Sequence, residues 1–176
     1  MAEREAIPLR PVGVEPAHQH AAAYEAPYRW FIAASLVLGI GGGFMLSVLL
    51  PLARAFEWQW GAGVRWQALV QAHGQLQLIG FGGLFVMGMA CRLMPRFSGR
   101  PLAYRALVPA LIPMVALSLI LRSVAQPWSD GALRDGGLIV SAALLLAAGA
   151  GFAAIVGRTL VHRDSRADAT GYFFVL

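Results

Sequence analysis

Residues 30–52 read WFIAASLVLGIGGGFMLSVLLPL, a stretch without one charged side chain. An α-helix rises about 1.5 Å per residue and needs about 20 residues to cross the hydrocarbon core of a bilayer. Uninterrupted apolar runs of this length are typical of membrane spans and exceed what one helix of a soluble core requires. The stretch therefore predicts a transmembrane helix.

Three further apolar segments follow, at residues 68–94, 106–121 and 138–160. The chain is 58% hydrophobic and only 13% charged, whereas a soluble domain carries roughly a quarter charged residues. We therefore predict an all-α, polytopic transmembrane helix bundle of at least four spans, in contact with the lipid bilayer. The third segment is short and contains Pro109 and Pro113, so we expect it to be kinked or tilted.

The two ends of the chain differ in character. Residues 1–28 are polar and contain four prolines, and they lack the early apolar region of a secretory signal. We predict a loosely ordered N-terminal tail there, with residues 29–176 forming the membrane domain. The last five residues, YFFVL at 172–176, are too few to cross a bilayer. We interpret them as the start of a fifth span, and we expect the chain to be the front part of a longer protein.

The arginines predict the orientation of the bundle. All fourteen basic residues are arginine, and the formal net charge is +5. Ten of the arginines lie in the tail, in the loop after the second segment, or after the fourth segment. The positive-inside rule then places the N-terminus in the cytoplasm. Arginines at helix ends indicate topology and anionic lipid rather than nucleic acid. The lysine-free, alanine- and glycine-rich composition favours a bacterial inner-membrane protein.

The second segment begins with an unusual polar stretch, QAHGQLQLIGFGG at residues 71–83. At the helical period, His73 shares one face with Gln77 and Gly80, and that face continues through Leu84, Met87 and Cys91. A second polar row contains Gln67, Gln71 and Gln75. Polar groups inside a span are expected to face the bundle interior, because lipid offers them no hydrogen-bond partner. The glycines of this segment permit either close helix packing or room for a flat cofactor.

Two interpretations of His73 follow from the residue itself. A neutral imidazole nitrogen is a normal ligand for a metal such as haem iron. Alternatively, His73 hydrogen-bonds to a neighbouring helix or lies at the head-group boundary. A single histidine in a span favours the second interpretation.

A resemblance to known membrane proteins favours the interpretation of His73 as a metal ligand. Residues 72–102, AHGQLQLIGFGGLFVMGMACRLMPRFSGRPL, resemble the second transmembrane helix of haem-copper oxidase subunit I. They are more similar still to the NnrS family, haem- and copper-containing membrane proteins linked to nitric oxide metabolism. The shared pattern is a histidine followed by glycine at the outer end, a glycine-rich helix, and a proline with basic residues at the inner end. Here these are His73, Gly74, Pro95 and Arg96.

The resemblance implies that His73 is an axial haem ligand. Gln77 is then the candidate neighbour that supports it, and Gly80 and Gly83 are the candidates that make room for the ring. For the full protein, it implies a role in nitric oxide response or respiratory electron transfer. Whether the protein is an enzyme stays open.

The sequence also departs from the resemblance. A six-coordinate haem needs a second axial ligand, and a copper site needs several more histidines. The remaining histidines, His18, His20 and His162, lie in segments assigned to the cytoplasmic side, opposite His73. A copper site is therefore incomplete in this chain, and missing C-terminal helices or a partner subunit would have to complete it.

An alternative function belongs to a different class. The chain is then a cofactor-free membrane protein, a packing subunit or part of a transporter, in which His73 and the glutamines are interhelical hydrogen-bond partners. No acidic residue lies in a predicted span, which argues against a self-contained proton-coupled transporter.

Overall fold

The computed structural model describes residues 17–58, 65–98 and 101–161. All regular structure in these ranges is helical, which confirms the prediction of an all-α fold. Four helical segments are long and apolar enough to cross a membrane, and their bounds are Pro27–Ala55, Trp66–Phe97, Arg105–Trp128 and Gly131–Val161. The chain is therefore an all-α bundle of the polytopic membrane type.

Two of the four segments change their helical pitch part-way. The first consists of α1 (Ala17–Leu38), a π-helical segment (Gly39–Phe44) and α2 (Met45–Ala55). The second consists of α3 (Trp66–Gln75), a π-helical segment (Leu76–Gly83) and α4 (Leu84–Ser98). A 3₁₀ turn (Arg105–Leu107) leads into α5 (Val108–Trp128), and α6 (Gly131–Val161) completes the bundle. Below, the two π-helical stretches are called the first and second π segments.

The helices are longer than the apolar runs that predict them. The first helix begins at Ala17, inside the segment 1–28 that the sequence assigns to the N-terminal tail. Alanine-rich sequence at residues 21–23 favours helix over coil. The remainder of the tail, 1–16, and the predicted fifth span at 172–176 lie outside the described residues.

The third and fourth spans also extend further than predicted. Helix α5 continues to Trp128, so Arg122 lies inside the span rather than in a loop. Pro109 occupies the first turn of α5, where a missing N–H costs no hydrogen bond. Helix α6 begins at Gly131, which places Asp135 in its early turns and corrects the expectation that no acidic residue lies in a span. Hydropathy detects the apolar centre of a span and misses polar turns at its ends.

The bundle is held together by close helix contacts. Helix α6 packs along α5, and α1 packs against α4. Ser118 and Ser141 join α5 to α6, since each buried hydroxyl donates to the other residue's carbonyl, at 2.8 and 2.9 Å. Gly88 permits the close contact between α4 and α1, because a Cβ at that position would lie 2.6 Å from the Cβ of Phe31. Small and hydroxyl residues at such contacts are the usual means by which membrane helices associate.

The two π segments lie against each other in the middle of their spans. Leu76 and Phe81 of the second π segment cover Gly42 and Gly39 of the first, where a Cβ would meet them at 2.9 and 2.8 Å. Glycine is a poor helix former, and π turns are frequent at functional sites. The contact between the two π segments therefore marks the part of the bundle that positions the candidate site.

Candidate functional site

His73 lies in the last part of α3 and is half-buried. It lies seven residues after Trp66, which corresponds to about 10 Å of helix. Its Nδ1 atom is 2.8 Å from the carbonyl oxygen of Gly43, in the first π segment. A carbonyl oxygen can only accept a hydrogen bond, so Nδ1 carries the proton. In the neutral imidazole, Nε2 then keeps its lone pair and can bind a metal or accept a proton.

Gln77 is held next to the same glycine. A Cβ added to Gly43 would lie 3.0 Å from both Cγ and Cδ of Gln77. The structure therefore brings His73 and Gln77 together, as their helical spacing predicts, and joins them through Gly43. The sequence signal for Gly43 is the triplet Gly41-Gly42-Gly43 inside the first span, to which the sequence alone assigned no role.

The two glycines predicted to make room have different surroundings. A Cβ at Gly80 would meet the side chains of Leu119 and Leu38, at 3.2 and 3.3 Å. The space beside Gly80 is therefore occupied by two neighbouring helices. A Cβ at Gly83 would meet only Ile79 and Leu78 of its own helix, at 3.7 Å. Gly74, next to His73, has open space around it.

The rest of the His73 face points into the bundle. Leu84 and Cys91 are buried, and Met87 packs against the apolar core. Within the described ranges, no three histidine, cysteine, aspartate or glutamate residues group to hold a metal ion. His162 lies outside those ranges, and His18 and His20 begin α1.

The glutamine row differs from its prediction. Gln67 and Gln71 are exposed rather than facing the interior, because they lie in the first turns of α3, close to the end of the bundle. Gln71 is nevertheless satisfied, since its Oε1 accepts a hydrogen bond from Nε2 of the buried Gln126 on α5. The amide row thus joins α3 to α5.

A polar network that the sequence did not predict closes the same end of the bundle. Arg65, which precedes α3, forms an ion pair with Asp130. Its Nη1 also donates to the carbonyl of Ser129, at 3.1 Å. The exposed indoles of Trp58, Trp66 and Trp128 surround this end, as expected at a membrane interface. We call it the tryptophan end and the opposite one the basic end.

Three side-chain atoms of this region are buried without a hydrogen-bond partner among the described residues: Nε of Arg122, Oε1 of Gln126 and Nε of Arg134. Arg122 and Gln126 lie one turn apart on α5. Predicted boundaries left both residues outside the third span, so hydropathy gave no signal for them.

No protein-family profile, curated protein or solved structure matches this chain. The likeness of residues 72–102 to NnrS and oxidase sequences stays a prediction made from the residues.

Proposed function

We propose that the protein is a haem-binding membrane protein in which Nε2 of His73 is an axial ligand of the haem iron. The observation that carries the proposal is the hydrogen bond from His73 Nδ1 to the carbonyl of Gly43. Metal-binding histidines usually donate their other ring N–H to a carbonyl or carboxylate, which fixes the tautomer and the ring orientation. His73 has this arrangement, with the ligating nitrogen left available.

The donor set fits haem better than copper. One protein imidazole suffices to hold a haem iron, whereas a copper site takes several ligands, and the described residues form no group of three. When bound, haem would supply an iron centre for electron transfer or for nitric oxide binding. The protein's part is to hold and orient His73. Gln77 supports this by packing against Gly43.

The biological setting of the proposal rests on the resemblance of residues 72–102. It is nitric oxide response or respiratory electron transfer in a bacterial inner membrane, with the N-terminus in the cytoplasm. The second axial position would be filled by a residue of a partner subunit, or of further helices of a longer chain.

A second candidate is favoured by specific contacts. In a cofactor-free membrane protein, His73 and the glutamines would serve as interhelical hydrogen-bond partners. The bonds from His73 to Gly43 and from Gln126 to Gln71 both join different spans. The filled space beside Gly80 also agrees with packing. These contacts are compatible with either function, so the test must separate ligation from packing.

His73→Asn separates them. The Nδ2 of asparagine has nearly the position of the imidazole Nδ1, so this variant keeps a donor for Gly43 and removes Nε2. The purified chain, incubated with haem, is expected to show a Soret band that shifts on reduction. His73→Asn should lose or displace that band while keeping its helical circular dichroism. His20→Ala, at the opposite end of the bundle, is the matched control and should leave the spectrum unchanged.

Two results would contradict the proposal. One is a parent chain that takes up no haem, which would leave the cofactor-free function. The other is an unchanged Soret band in His73→Asn, which would assign the ligand to another residue.

A further inference from the structure

An apolar groove of about 330 Å³ lies between α4 and α6. Every side chain that lines it is apolar, including Phe85, Met89 and Leu93 of α4 and Phe152 and Val156 of α6. Phe85 is 42% exposed, so the groove opens onto the lipid-facing surface. Unlike the His73 site, the groove contains no hydrogen-bonding side chain.

The groove exists because α4 and α6 pack against different partners. Helix α6 packs along α5, and α4 packs along α1. The two helices therefore leave a gap that the bordering side chains do not fill. An apolar gap at a lipid-facing surface is suited to a hydrocarbon chain, which gains dispersion contacts there.

The basic end of the groove is positively charged. Arg96 follows Leu93 by less than one turn and is exposed. On the other side, the backbone N–H of Ala103 donates to Thr159 Oγ1, at 3.0 Å. This bond holds the segment before α5 against α6, and the exposed Arg105 follows at the start of the 3₁₀ turn.

Three acidic residues lie at the other end of the bundle. Glu57, Asp130 and Asp135 belong to the tryptophan end, at the end of α2 and around the turn between α5 and α6. Arg96 and Arg105 have other contacts as well, but a guanidinium has five N–H donors and can serve a further acceptor.

We propose that this groove is a binding site for an anionic phospholipid, with one acyl chain between α4 and α6 and the phosphate at Arg96 and Arg105. The apolar groove would bind the acyl chain, and the two arginines would bind the phosphate of the head group. Zwitterionic lipids carry an ammonium group that these arginines repel, whereas a phosphatidylglycerol head group has a net negative charge. The site is independent of haem binding.

The test is a lipid titration of the detergent-purified chain, followed by native mass spectrometry. The probes are dioleoylphosphatidylglycerol and dioleoylphosphatidylcholine, which share their acyl chains. Each arginine near an anionic surface favours binding several-fold, so the first phosphatidylglycerol should bind at least about tenfold more tightly than phosphatidylcholine. The double variant Arg96→Gln/Arg105→Gln should remove most of that preference. Arg54→Gln, an exposed arginine at the tryptophan end, is the control and should keep it.

A second variant tests the groove itself. Ala90 lines the groove, and Ala90→Phe would fill it and weaken the first binding event for both lipids. Ala143→Phe adds the same ring to an exposed position of α6, more than two turns from Phe152, and should bind lipid as the parent does. Circular dichroism checks that each variant is folded.

Equal binding of the two lipids by the parent would overturn the anionic site. A phosphatidylglycerol preference that survives in the double arginine variant would overturn its location at the basic end. That variant changes exposed side chains only, so the decision does not depend on the folding of Ala90→Phe. Unchanged binding by a folded Ala90→Phe would overturn the role of the groove.

Discussion

The imidazole of His73 in the second span donates a hydrogen bond from Nδ1 to the carbonyl oxygen of Gly43 in the first span, at 2.8 Å. This contact ties α3 to the first π segment and, by fixing the tautomer, determines which nitrogen is free. One contact thus supports both a structural role and a ligand role for His73, and the two roles predict different effects of substitution.

We expect His73→Ala to lower the free energy of unfolding by about 1 kcal/mol, within the range of roughly 0.6–2 kcal/mol found for interhelical hydrogen bonds in membranes. His73→Asn keeps a donor near the Nδ1 position and should lose no more than about a third of that. Reversible unfolding in mixed detergent micelles, followed by circular dichroism, measures both values. Equal losses in the two variants would show that the bond to Gly43 contributes nothing to stability.

Gly43 and Gln77 are expected to be coupled. A methyl group at Gly43 would lie 3.0 Å from two carbons of Gln77, closer than carbon atoms normally pack. We expect Gly43→Ala to cost about 1–2 kcal/mol of stability, as overpacking of a well-packed site does. Gln77→Ala should relieve most of that cost in the double variant.

A double-mutant cycle measures this coupling. The expected interaction free energy is about 1 kcal/mol in favour of the double variant. Additive effects of the two substitutions would mean that Gln77 moves away from Gly43 without cost. Gly41→Ala is the matched control in the same segment, since open space surrounds Gly41.

The sequence predicts the fold well because bilayer spans are long and predominantly apolar. It predicts the His73–Gln77 pair because that pair depends on spacing within one helix. It does not predict Gly43 as the acceptor, since the contact lies between residues 30 positions apart and depends on how two π segments meet. Nor does it predict the groove between α4 and α6, which arises from the different partners of these helices.

The helix ends were misplaced for a related reason. Arg122 and Asp135 are polar, and a hydropathy window excludes them, yet helix α5 and helix α6 contain them. An α-helix satisfies its own backbone hydrogen bonds, so it can continue where hydrophobicity declines. The pattern of apolar residues therefore gives the number of spans better than their limits.

The serine pair between α5 and α6 should contribute to the stability of the hairpin. Each hydroxyl of Ser118 and Ser141 donates to the other residue's carbonyl, and both side chains are buried. We expect Ser118→Ala and Ser141→Ala each to cost about 0.6 kcal/mol, the average measured for interhelical hydrogen bonds in membranes. Unfolding in mixed micelles checks the values. Ser47→Ala, whose exposed hydroxyl bonds only within its own helix, is the control and should be near neutral.

Substitution of two adjacent glycines of α6 by alanine should change the stability in opposite directions. A Cβ at Gly137 would lie 2.7 Å from the Cβ of Ala125, whereas a Cβ at Gly136 would meet nothing within 4 Å. Alanine is the better helix former by up to about 1 kcal/mol, so Gly136→Ala should be neutral to stabilising. Gly137→Ala should instead cost about 1–3 kcal/mol, because α5 and α6 must separate to admit the methyl group.

A compensating change tests the physical reason. Ala125→Gly removes the methyl group that Gly137→Ala meets, so the double variant should recover most of the lost stability. The measurement is again the free energy of unfolding of the purified chain. If Gly136→Ala and Gly137→Ala destabilise equally, the close approach of α5 and α6 at Gly137 does not determine the stability of the hairpin. A recovery confined to the double variant would establish that the two helices touch at these two residues.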